Sequence, residues 1–159
     1  MKTHFLFLLL ILNLKGYSQT VTIKDLIAKT SCADFICFSD YIISKDYIVQ
    51  DSTDEEYGTL YIFMSNQDFP TSDSSLKTKN TVTFMVNNKG SVSSGIRTAN
   101  TEYHQSLFSQ MVSLEFKAIR TKHVYEADIV TYKTKLYPKI IIEVQKDNLK
   151  KDSHSWISY

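Results

Sequence analysis

The chain has 159 residues, of which 22% are charged and 13% aromatic, and its formal net charge is +1 at pH 7. With four glycines and two prolines it is not a disordered linker, and its size does not require a metal or a dense disulfide network to fold. The near-zero net charge hides an asymmetry: Gln19 to Ser74 holds three Lys and ten acids (3 − 10 = −7), whereas Ser75 to Tyr159 holds thirteen Lys and Arg and seven acids (13 − 7 = +6). Either the two halves fold against each other and neutralise, or the molecule is dipolar and one face meets a partner of opposite charge. The basic residues of the second half are scattered singly, without an Arg cluster or a Gly-aromatic signature, which argues against nucleic acid as the partner.

The chain opens with the pattern of an export signal. Met1 to His4 is weakly basic, Phe5 to Leu12 is unbroken apolar sequence, and Gly16-Tyr17-Ser18 places small residues two apart. The apolar run is about ten residues, too short for a hydrocarbon core that needs about twenty. Residues 1–18 therefore read as a cleaved secretory signal and 19–159 as a single domain, periplasmic or secreted. No membrane span and no lipid anchor are expected, because the first cysteine is Cys32, well past the signal.

Val21-Thr22-Ile23-Lys24-Asp25-Leu26 starts a short helix, with Thr22 as N-cap, Asp25 completing a capping box and Val21 stapled onto Leu26. Cys32 and Cys37 follow, and export favours a disulfide between them. Ser31-Cys32-Ala33-Asp34 also fits a capping box, which would put both cysteines in one helix with Cα atoms ~8.5 Å apart, beyond the ~7 Å that a bridge tolerates. Either the helix starts later, at an Asp34 N-cap with Cys32 folded back over Cys37, or the thiols are free. A redox C-x-x-C pair is excluded by the four intervening residues.

Phe35, Phe38, Tyr41 and Ile42 mark the apolar face of a second helix over 34–45. Tyr47-Ile48-Val49 is extended, and Asp51 to Glu56 reads as an acidic turn. Tyr57 to Met64 is apolar on both faces and predicts an interior strand. A surface loop over 65–79 precedes a strand at Thr81 to Val86, the turn Asn87-Asn88-Lys89-Gly90 and a polar return strand from Ser91 to Arg97. A third helix is predicted over 101–115, with a stripe of Leu107, Phe108, Met111 and Val112. Strands at Val124 to Tyr132 and Leu136 to Gln145 follow, and a polar tail holds Trp156 as an anchor. Grouped helices and strands predict an α+β fold, an antiparallel sheet with about three helices on one face. The echo of Phe38-Ser39 before Tyr57–Met64 in Phe108-Ser109 before Leu136–Val144 reads as a weak αββ duplication.

No motif assigns catalysis. His104, His123 and His154 lack metal-ligand spacing, the acidic turn lacks a calcium-loop pattern, and there is no G-x-S-x-G or glycine-rich phosphate loop. No metal, cofactor or catalytic residue is assigned. The sequence points to a non-enzymatic, exported protein-binding protein of inhibitor or toxin-immunity type. Asp51, Asp54, Glu55, Glu56, Tyr57 and Tyr61 are its candidate contact residues, because tyrosine supplies contact area at low entropy cost. The alternatives are a binder of a small apolar or envelope ligand and, third, a small hydrolase pairing Cys32 or Cys37 with His104 or His123.

Overall fold

The computed structural model describes residues 20–29, 32, 34–66, 69–70, 77–147 and 154–158. The expected signal and Ser31 lie outside the described residues. Helix α1 (Ile23–Lys29) opens on the predicted box: the Asp25 N–H donates to Thr22 Oγ1 at 3.1 Å and the Thr22 N–H to Asp25 Oδ2 at 2.9 Å. Helix α2 (Phe35–Ile43) starts later than a Ser31 cap would place it. Its N-cap is Asp34, whose carboxylate accepts from the Cys37 N–H at 2.8 Å. Cys32 thus stays outside the helix and bridges to Cys37 across a Cα separation of 5.7 Å, within the reach of a disulfide.

Strands β1 (Tyr47–Glu55), β2 (Gly58–Ser65), a short pair β3 (Phe69–Pro70) and β4 (Lys77–Thr78), β5 (Thr81–Asn87) and β6 (Val92–Thr98) follow. Helix α3 (Thr101–Ser113) is capped by Asn100, which accepts from the Tyr103 N–H at 2.6 Å. Strands β7 (Lys117–Val124), β8 (Ala127–Lys133), β9 (Ile141–Asp147) and β10 (His154–Ser158) complete the described chain. Eight strands form one antiparallel sheet in the order β1-β2-β5-β6-β10-β9-β8-β7, and β3 pairs only with β4. The α+β class expected from the sequence is the class observed.

Several local expectations change. The acidic turn is a strand as far as Glu55, because pairing with the strongly strand-forming β2 imposes extension, and only Glu56 and Tyr57 turn. Lys117–Val124 is a further strand and so places His123 on a hairpin arm. The polar tail is the central strand β10. In α3, Leu107 and Met111 point inward while Phe108 and Val112 remain 43% and 60% exposed, so the buried stripe is narrower than predicted.

Register across the sheet puts Tyr61, Phe84, Ser94, Ile142 and Tyr132 in one row and Phe63, Val82, Ile96, Val144 and Val130 in the next, on the same face. Phe38 of α2 stacks on Phe84 at 4.3 Å between ring centroids, and Phe108 of α3 meets Tyr132 edge-on at 6.4 Å. Both longer helices therefore place rings on this face, at opposite ends of the sheet. Helix α1 is tied to α3 instead: the Ile23 N–H donates to Gln110 Oε1 at 2.9 Å, and the Tyr103 hydroxyl donates to the Val21 carbonyl. The other face carries half-exposed Leu60, Ile62, Met64, Thr83, Met85 and Ile129.

The molecule consists of one pattern used twice. A helix and four antiparallel strands, α2-β1-β2-β5-β6, recur as α3-β7-β8-β9-β10, and the two copies meet at the β6–β10 pair. From helix exit through the first hairpin the offset is constant, Asp46 matching Glu115 (115 − 46 = 69). These two residues have φ of 64° and 58°, and their N–H groups donate to the Ile43 and Val112 carbonyls. Ser44 and Ser113 hydroxyls donate to the Tyr41 and Gln110 carbonyls. The register shift between Val49 and Asp51 recurs between Ala118 and Arg120. Buried Phe38, Ile42 and Ser65 correspond to buried Leu107, Met111 and Thr134. The longer β2–β5 connection lowers the offset at the third strand, where Thr81 matches Ile141 (141 − 81 = 60). The repeat is thus a helix with four strands rather than αββ. The Phe-Ser echo is one residue out of step, since Phe38 matches Leu107.

Candidate functional site

Strand β1 forms one edge of the sheet, and every residue in it after Tyr47 is exposed. Edge position explains how Asp51, Asp54 and Glu55 are accommodated, because neither side chain nor outer backbone needs a buried partner there. Register with Ile62 and Gly58 sets Asp51 and Glu55 on the face opposite the helix rings, and Asp54 pairs with Thr59 on the helix-bearing side. The Thr59 hydroxyl donates to Asp54 Oδ1 at 2.9 Å. Glu56 and Tyr57 form the hairpin tip, with Tyr57 69% exposed. Gly58 follows at φ 151°, where a Cβ would lie 2.1 Å from the Val86 carbonyl oxygen, so no side chain fits between the tip and β5.

Five of the six candidate contact residues are therefore brought together along one edge and its tip. Tyr61 is not. Its ring stacks on Phe35 at 4.1 Å on the helix-bearing face, in the core layer. The equivalent tip in the second unit, Tyr125-Glu126, holds a Tyr that is 94% exposed and that sequence reasoning missed. The signal was present: both tips carry Tyr and Glu between strand-forming runs.

The opposite edge, β7, is basic. Lys117, Arg120, Lys122 and His123 are exposed along it. The acidic and basic segments therefore occupy the two ends of an eight-stranded sheet and do not fold onto each other. The two edges thus carry opposite charge on opposite sides of the sheet.

A second feature lies between α3 and the second unit's strands. A cleft of about 470 Å³ is lined by His104, Phe108, Thr121, Asp128, Val130, Tyr132, Val144 and Lys146. Its volume falls within the ~300–1,000 Å³ typical of small-ligand sites. Asp128 Oδ1 lies 2.7 Å from His123 Nδ1, its cross-strand neighbour, and Lys146 is its neighbour on the other side. Burial raises the Tyr132 hydroxyl pKa above its ordinary value. Among the described residues, no three His, Cys, Asp or Glu side chains cluster as metal ligands. No helix there is long and apolar enough to cross a membrane. Comparison with known proteins finds no matching family model, curated protein or solved structure.

Proposed function

We propose that this chain is an exported protein that acts by binding another protein through the acidic edge of its sheet, as an inhibitor or immunity-type protein does, without catalysis. The observation that carries this reading is strand β1, exposed along its length after Tyr47 and ending in an exposed tyrosine tip. An outer strand offers a row of backbone donors and acceptors to a partner strand, and its acids select a basic one. The half-exposed apolar face beside it adds non-polar area next to Asp51 and Glu55. Export is supported by the apolar leader at the start of the chain and by the Cys32–Cys37 bridge, a bond favoured outside the cytoplasm.

The test begins with affinity capture of a partner from the envelope and culture-fluid proteins of the source organism. Association rates are then measured against salt for the native protein and for D51N/D54N/E55Q/E56Q. The variant is expected to associate about tenfold more slowly at low salt, with a flatter salt dependence. Equal rates and equal slopes would remove the acidic edge from the contact.

A further inference from the structure

The internal repeat allows each unit to be read against the other, and one position differs in a way that makes a site. In the first unit the space between helix and sheet is closed by aromatic rings. Phe35 stacks on Tyr61 at 4.1 Å and lies 6.0 Å from Phe63, while Phe38 stacks on Phe84. At the equivalent positions the second unit has His104 for Phe35, Val130 for Tyr61 and Val144 for Phe84. Three rings give way to smaller side chains, and the cleft of about 470 Å³ lies there. The second unit has not closed over the gap. Phe108, where the first unit has buried Ser39, stands edge-on to Tyr132 at an interplanar angle of 83° and forms a wall while remaining 43% exposed.

The chemistry of the wall changes as well. Val86 and Thr59 of the first unit correspond to Lys146 and Asp128, which are cross-strand neighbours at the cleft. Asp128 Oδ1 lies 2.7 Å from His123 Nδ1 on the β7 side, and the exposed Lys146 ammonium contributes a cation to the cleft lining. His104 and Thr121 bring further polar groups to the same lining. The floor, Val130, Tyr132 and Val144, is apolar and aromatic. We propose that this cleft binds a small aromatic carboxylate, whose ring takes the place that Phe35 fills in the first unit and whose carboxylate meets Lys146. A phenyl group fits because the chain itself closes the matching space with one. The anionic group fits because the cleft replaces a valine with a lysine. This site is on the helix-bearing face, away from the β1 edge, and does not rest on the protein-binding reading.

The test uses 3-phenylpropionate and its neutral amide as probes of the purified protein, followed by protein-observed NMR and calorimetry. Saturable one-to-one binding of the acid is expected, with resonances of His104, Phe108 and Tyr132 perturbed. Lys146→Gln should weaken the acid about tenfold, the scale of one charge-assisted hydrogen bond, and leave the amide unchanged. H104F/V130Y transplants the first unit's stacked pair into the cleft and should abolish binding of both probes while the circular dichroism spectrum is retained. Absence of saturable binding to the native protein overturns the proposal. So does equal weakening of acid and amide by K146Q, or full binding by a folded H104F/V130Y variant. Should the double variant not fold, the K146Q comparison alone decides.

Discussion

Tyr103 ties the start of α3 to the chain ahead of α1, and Tyr47 is buried at the start of β1. Tyr47 is 2% exposed and Tyr103 7%. Burial pushes the Tyr47 hydroxyl up to about 12, with Tyr103 and Asn80 opposing the shift, and burial also holds Tyr103 well above its ordinary value. In the unfolded chain both ionise near pH 10. Below that pH both states keep their protons and the contribution to stability is fully present. Above it the unfolded state loses protons that the folded state retains, so stability falls as pH rises through about 12. The slope is at most about 1.4 kcal/mol per pH unit for each group. The urea midpoint should therefore drop between pH 10 and 12, and the drop should be shallower in Tyr47→Phe, which has no proton to lose. An identical slope in that variant would mean that the hydroxyl is not protected by the fold. Residues of this kind were only partly legible in the sequence. The capping box of Thr22 and Asp25 was, because cap and helix are three residues apart. The pairing of Val21 with Tyr103 was not, since nothing local connects positions 82 residues apart.

At the scale of elements, legibility followed how much each one depends on its own side chains. Strand β2 was plain because Leu60, Ile62 and Phe63 are strand formers on both faces of an interior strand. The start of β1, Tyr47 to Val49, was legible, but its acidic remainder and β7 were hidden because edge strands need few buried side chains, and the register shifts after Val49 and Ala118 break the alternation that would reveal them. The cleft was hidden for another reason: His104 and Val130 become informative only when compared with Phe35 and Tyr61, and that comparison needs the structural offset. Helix α2 shows local chemistry resolving a sequence conflict. Asp34 caps it, so Cys32 can reach Cys37 from outside the first turn. The loop that the bridge closes is short, and chain-entropy arguments assign it roughly 2 kcal/mol. Reduction, or the C32S/C37S variant, is expected to lower stability by about that amount without unfolding the protein. Thermal melts with and without a thiol-free reductant read this directly, and coincident melts would show that the Asp34 cap alone fixes the helix entry.

At the scale of the whole molecule, the last described strand determines whether there is one sheet or two. Strand β10 pairs with β6 on one side and β9 on the other, through Thr98 to Ser94 and Lys146 to Ile142. Without it, β1-β2-β5-β6 and β9-β8-β7 share no ladder. Each would then expose a long unpaired edge next to the core rows that contain Ile96 and Val144, both buried in the intact sheet. The repeat makes this costly in a second way. The β6–β10 pair is where the two units meet, and α3 of the second unit also packs on β6 of the first. Removing residues 154–159 should therefore unfold the protein as a whole rather than fray one end, since β10 takes an interior place that other terminal strands often lack. The expected result is loss of the cooperative urea transition and of near-ultraviolet dichroism in the truncated chain. In the intact protein, amides of β6, β9 and β10 should exchange among the slowest. A truncated chain that keeps a single sharp transition of native slope would show that each unit is stable alone and that β10 only adorns the seam.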